Sequence, residues 1–191
     1  MHKLLKKEFS ILTLEDKASV LRLARKVLED AFSLGDYEGV LSLDEEERLR
    51  NLYFGIFVSI YKGKKLKGCI GTLREDLSLY ELVVRMTRSA ALHDSRFENL
   101  KPKDIPKTRI ELSILTPLQA IDDISEIEIG RHGIYMTGLG RSGVFLPQVA
   151  TNNNWSVEEM LGYCARNKAG LDWESWNELD LYIFEAIILS E

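Results

Sequence analysis

The run Leu66-Lys67-Gly68-Cys69-Ile70-Gly71-Thr72 sets a cysteine between two glycines in a strand-like stretch. A thiolate is a strong nucleophile and a redox group, so Cys69 is the first candidate for chemistry. Glycine weakens a strand interior and calls for a local reason there, such as a bulge, a bend, or close approach of a ligand or another backbone. Gly68, Ile70, Gly71 and Thr72 are therefore candidate ligand contacts around the thiol. Lys62, Lys64, Lys65, Lys67 and Arg74 crowd the same stretch. Cations favour a thiolate, but these lysines equally suit a solvated hairpin turn. The competing account of Cys69 is a small buried apolar residue, since free cysteine is among the most buried types. His93-Asp94 adds a candidate general base beside a carboxylate, and His93 with Cys69 would form a thiol–imidazole pair. The same dipeptide also suits a helix C-terminus, with His93 on free carbonyls and Asp94 opening a turn. Arg96 and Glu111 would hold an anionic substrate or pair with each other. Cys69, His93, Asp94 and His132 show no metal-ligand spacing, and no metal site is expected.

These residues need a scaffold. The chain has 191 residues, 45% of them hydrophobic and 29% charged, a balance that supports one globular domain with a proper core. A net charge of −5 disfavours general nucleic-acid binding, and no apolar run is long enough for a membrane span. The charged start lacks a signal-peptide core, so a cytoplasmic protein is expected. Cys69 and Cys164 make neither a disulfide framework nor a zinc pattern. Helical periodicity covers 14–32, capped by Thr13 with Asp16, and an acidic connection containing Gly35, Asp36 and Gly39 leads to a short helix near 44–52. Residues 53–61 and 66–72 read as a hairpin. If Tyr61 pairs with Leu66, Cys69 falls opposite Val58 and shares its face, and a one-residue slip reverses this. Ser78 and Glu81 cap a second helix that ends near His93. Residues 109–115 alternate as a strand. Short strands at 126–129, 133–137 and 144–150, a helix at 157–168 carrying Cys164 in its core, and a last strand at 181–189 follow. Gly138-Leu139-Gly140-Arg141-Ser142-Gly143 matches G-x-G-x-x-G, but the strand-like Val144-Phe145-Leu146-Pro147 after it points to a hairpin turn rather than a dinucleotide site. The pattern is α+β: a mainly antiparallel sheet flanked by helices.

Four stretches resemble the AMMECR domain family, whose archaeal and bacterial members are called AmmeMemoRadiSam system protein A. They are the run at 66–72, with Lys67 where Arg is common; Asp94-Ser95-Arg96-Phe97; residues 129–136; and Val144 to Ala150, which adds Gln148 to the ligand-binding candidates. Trp155 and the helix ending at Asn167-Lys168-Ala169-Gly170-Leu171 complete the pattern, which runs from about 14 to 189. The resemblance implies a two-lobed single domain: a larger lobe of about 8–120 with 171–191, holding both termini, and a smaller lobe of about 121–170. The hallmark strand would line a cleft. It also implies association with a Memo-like protein and a radical SAM enzyme. It names no reaction and no cofactor. Two functions stand: a thiol-dependent enzyme or enzyme component using Cys69, and a non-catalytic binding or adaptor module using the same strand. An oligomer is compatible with either.

Overall fold

The computed structural model describes residues 12–31, 37 and 39–191. Helix α1 (Leu14–Glu29) starts where Thr13 and Asp16 form a reciprocal capping box, the Asp16 N–H donating to Thr13 Oγ1 at 3.1 Å and the Thr13 N–H to Asp16 Oδ2 at 2.8 Å. Phe32, expected at the end of this helix, lies outside the described residues, as do Gly35 and Asp36. Ser42 and Ser78 cap α2 (Leu43–Arg50) and α3 (Leu79–Leu92) in the same way, each with a glutamate three residues on.

Strands β1 (Gly55–Lys62), β2 (Lys65–Thr72), β3 (Thr108–Leu115) and β8 (Ala186–Ser190) form one sheet in the order β2-β1-β3-β8. Ile56, Val58 and Ile60 on β1 and Ile110, Leu112 and Ile114 on β3 are wholly buried, in one core with the apolar stripes of α1 and α3. Period-2 alternation then turns Phe57, Ser59 and Tyr61 to the other face, with Arg109, Glu111 and Ser113 beside them. Tyr61 does pair with Leu66, but the register shifts between Ile60 and Tyr61, and Ile60 pairs with Gly68. Lys67 is the extra, bulged residue. One inserted residue exchanges the faces of everything beyond it. Cys69 therefore lies opposite Ser59, not Val58, and its side chain joins the outer face.

A second unit, Pro117–Ala186, is built around its own core of Ile134, Met136, Phe145, Met160, Leu161, Cys164 and Ile183; the first comprises Met1–Thr116 with Ile187–Glu191. Its sheet runs β4-β7-β5-β6, from β4 (Gln119–Ile121), β5 (Gly133–Gly138), β6 (Arg141–Phe145) and β7 (Asp180–Phe184), with antiparallel pairing throughout. The turn between β5 and β6 is Leu139-Gly140, both left-handed (φ 53° and 70°), which disposes of the glycine run as a nucleotide loop. Three elements differ from the sequence pattern. Residues 126–129 form no strand: Glu126 ends the 3₁₀ turn Ile124–Glu126, and the chain runs on into a turn at Ile129-Gly130. Strand β6 stops at Phe145 because Pro147 takes the first position of helix α4 (Pro147–Asn153), where a proline lacks no needed N–H. The final apolar run splits into β7 and β8, which belong to different sheets. Helix α5 (Val157–Cys164) runs on into a wider π-type turn, Ala165–Ala169, ended by the left-handed Gly170. The class is α+β, with antiparallel sheets flanked by helices. No described helix is long and apolar enough to cross a membrane.

Candidate functional site

Cys69 is held from two directions. Across the pair to β1, the Ser59 hydroxyl donates to Cys69 Sγ at 3.3 Å. On the other side, the Cys69 N–H donates to Asp94 Oδ2 at 2.8 Å and the Cys69 carbonyl accepts from an Arg96 guanidinium N–H at 2.6 Å. Both backbone groups of Cys69 thus point away from β1. This makes Cys69 and Ser59 a non-hydrogen-bonded pair, the kind whose side chains lie closer together. Strand β2 is at the sheet edge among the described residues. Asp94 and Arg96 meet that edge as a neighbouring strand would, one accepting and one donating.

The clamp is itself rigid. Arg96 Nε donates to Asp94 Oδ1 at 2.9 Å and a terminal guanidinium N–H to Oδ2 at 2.7 Å, a bidentate pair. Asp94 is 4% exposed. The Arg96 guanidinium, with the N–H groups of Cys69 and Arg96, holds its carboxyl down at about 2 against the opposing effect of burial. Helix α3 delivers the pair: it ends at Leu92, the His93 N–H caps onto the Ser89 carbonyl, and Asp94 opens a turn closed by the Phe97 N–H at 3.1 Å.

The two glycines have other neighbours. A Cβ on Gly68 would come within 1.9 Å of the Ala90 carbonyl oxygen, so α3 rests directly on the strand there. A Cβ on Gly71 would stand 2.3 Å from the Phe57 ring, which covers that position. Close approach is the reason for both, and the chain itself supplies what approaches. Ile70 packs into the first core, opposite Val58, and Thr72 Oγ1 accepts from the Arg74 N–H at 3.1 Å. Of the five residues from 68 to 72, Cys69 and Gly71 alone face outward.

The outer face carries Cys69, Ser59 and Glu111 as a row across three strands. Glu111 pairs with Arg109 at 3.2 Å, not with Arg96. The Arg109 guanidinium lies 4.6 Å from the centroid of the Tyr61 ring and donates to Ser190 Oγ at 2.6 Å. Burial, then the Glu111 charge, pushes the Tyr61 phenol up. His93 is exposed at its cap, and its ring makes no hydrogen bond among the described residues. Gln148 sits in α4 of the second unit with Oε1 buried and unpartnered. His132, also there, is 4% exposed and receives the Glu128 N–H on Nδ1 at 3.1 Å. The described residues hold no cluster fit for a metal ion. Cys164 is the contrast to Cys69: wholly buried, with burial pushing its thiol up to about 12. Sequence reasoning missed Ser59. The usable signal was Ile70, whose claim on the core face forces its neighbour Cys69 outward.

Comparison with known proteins adds context. A family model described as AMMECR1 matches residues 21–189. Protein MK0488 of Methanopyrus kandleri is 34% identical over 193 residues, covering 94% of this chain and 90% of its own length. Protein NEQ441 of Nanoarchaeum equitans is 30% identical over 182 residues, covering 91% and 99%. Among solved structures, the crystal structure of the uncharacterised protein PH0010 from Pyrococcus horikoshii matches with a TM-score of 0.81 at 29% identity, covering 90% of this chain and 89% of that one.

Proposed function

The chain belongs to the AMMECR1 family, and from that premise we propose that it works through Cys69, as a thiol-dependent enzyme or enzyme component whose reacting surface is the outer face of the first sheet. One observation carries the reading. The Asp94–Arg96 pair fixes both backbone groups of Cys69 while its thiol stays partly exposed, with Ser59 donating to the sulfur. A fixed main chain and a free thiol are what a positioned nucleophile needs. The Ser59 hydroxyl, donating to the sulfur, would stabilise a thiolate. The family resemblance extends the proposal to a cytoplasmic protein acting beside a Memo-like protein and a radical SAM enzyme.

The test is the alkylation of native protein followed peptide by peptide. Cys69 is expected to label at least about 100-fold faster than Cys164, because exposure and thiolate access govern the rate. Labelling of both only after denaturation overturns the reading. In a reconstituted three-protein system, Cys69→Ser is expected to abolish turnover.

The second reading is a non-catalytic binding or adaptor module. It is favoured by the thiol's neighbour being a hydroxyl while the His93 ring makes no hydrogen bond to it. Pull-down of the Memo-like protein by wild type and Cys69→Ser alike, with no thiol-dependent turnover, would select it.

A further inference from the structure

The clamp on Cys69 leaves part of its arginine unused. Of the five guanidinium N–H groups of Arg96, three are engaged: Nε on Asp94 Oδ1 at 2.9 Å, and Nη2 on Asp94 Oδ2 at 2.7 Å and on the Cys69 carbonyl at 2.6 Å. Neither N–H of Nη1 has a hydrogen-bond partner among the described residues, and 56% of the side chain is exposed. The guanidinium is nevertheless fixed, because turning it away leaves the buried Asp94 carboxylate without its cation. It also stands beside the thiol: the Asp94 carboxylate first, and the Cys69 sulfur after it, push the Arg96 guanidinium up from its ordinary value. The other cations nearby differ. Lys62, Arg74 and Arg109 are held by carboxylates of their own, while Lys65 and Lys67 belong to the hairpin end and its bulge.

We propose, resting on the thiol reading above, that Cys69 acts on anionic electrophiles: Arg96 Nη1 binds a carboxylate that adjoins the carbon the sulfur attacks. Two fixed N–H donors beside a nucleophile need no rearrangement as the reacting groups approach, and this is what makes them effective. Asp94 balances the arginine's charge, so the preference is set by hydrogen bonding at contact distance rather than by long-range attraction. Iodoacetate is the simplest such electrophile. As the carbon–sulfur bond forms the carbon–iodine bond breaks, iodide leaves with the bonding pair, and the thiol proton passes to the buffer.

Peptide-resolved alkylation of the full chain tests this with iodoacetate, which is anionic, and iodoacetamide, its neutral counterpart of nearly the same shape. The ratio of the two rate constants at Cys69 cancels both the exposure of the thiol and its thiolate fraction. The urea-unfolded chain supplies the reference ratio, since Lys65 and Lys67 remain beside Cys69 there and Arg96 does not. The native ratio is expected about fivefold above that reference, and Arg96→Gln should return it to within about twofold. Lys67→Gln should leave it raised. The wild-type ratio and the Lys67→Gln ratio stand even if the melting curve shows that Arg96→Gln fails to fold. Three outcomes overturn the proposal and leave the thiol reading in place: iodoacetamide labelling of native Cys69 with an unraised ratio, a raised ratio that survives in folded Arg96→Gln, and a raised ratio lost in Lys67→Gln. Labelling of native Cys69 by neither reagent overturns both.

Discussion

Asp94 works as a residue because it is charged, buried and doubly engaged. Its folded carboxyl is held at about 2, below the unfolded value of about 4. A depressed carboxyl contributes stability above the unfolded value and loses it as pH falls through the folded one. The Asp94 contribution, about 1–2 kcal/mol, is thus expected to be intact at pH 5 and to fade between about pH 4 and 2. Chemical denaturation across that window should show Asp94→Asn with a flatter acid limb than wild type. Gly68 and Gly71 are equally specific. Gly68→Ala drives a methyl group into the backbone of α3 and should cost about 3 kcal/mol or more. Gly71→Ala meets the Phe57 ring at 2.3 Å and the Ile56 carbonyl oxygen at 2.5 Å, so Phe57→Leu should recover only the side-chain part of its loss in a double-mutant cycle. Leu139 is a leucine at φ 53° with 65% of its surface exposed. Leu139→Asn should raise stability by about 0.5–1 kcal/mol in the same measurement, since asparagine tolerates the left-handed conformation.

At the scale of elements, the capping boxes at Thr13 and Ser78 and the alternation of β1 and β3 were legible because each is a local pattern of residue types. The face of Cys69 was misread by counting the register out from the turn, because it turns on a bulge, a property of two strands together, and only the apolar Ile70 beside it argued otherwise. Lys67 carries no mark that distinguishes a bulged from a paired residue. The clamp was hidden for the same reason: Asp94 and Arg96 are 25 and 27 positions from Cys69, and nothing local announces that a helix end will meet a strand edge. The final apolar run read as one strand because its hydrophobicity hardly breaks at Glu185. Deleting Lys67 offers a check on the hairpin. It should remove the bulge yet leave Cys69 opposite Ser59, so its alkylation rate should stay near wild type.

For the whole molecule, the fold class followed from mixed strands and helices with hairpins outnumbering crossover units, while the division into two units rests on long-range packing. The first unit is discontinuous: its sheet takes β8 from beyond the whole of residues 117–186. Strand β8 does more than fill a lane. Glu191 accepts from Arg25 Nε at 2.7 Å and from the Ile110 N–H at 2.8 Å, joining the first helix to the third strand. A ribosome emits residues in order, so β1, β2 and β3 must wait, with one side of β3 bare, until the entire second unit has been made. Contacts of such sequence separation form late and slowly. The nascent chain therefore passes through a stage in which the unit that begins first is the one still unfinished.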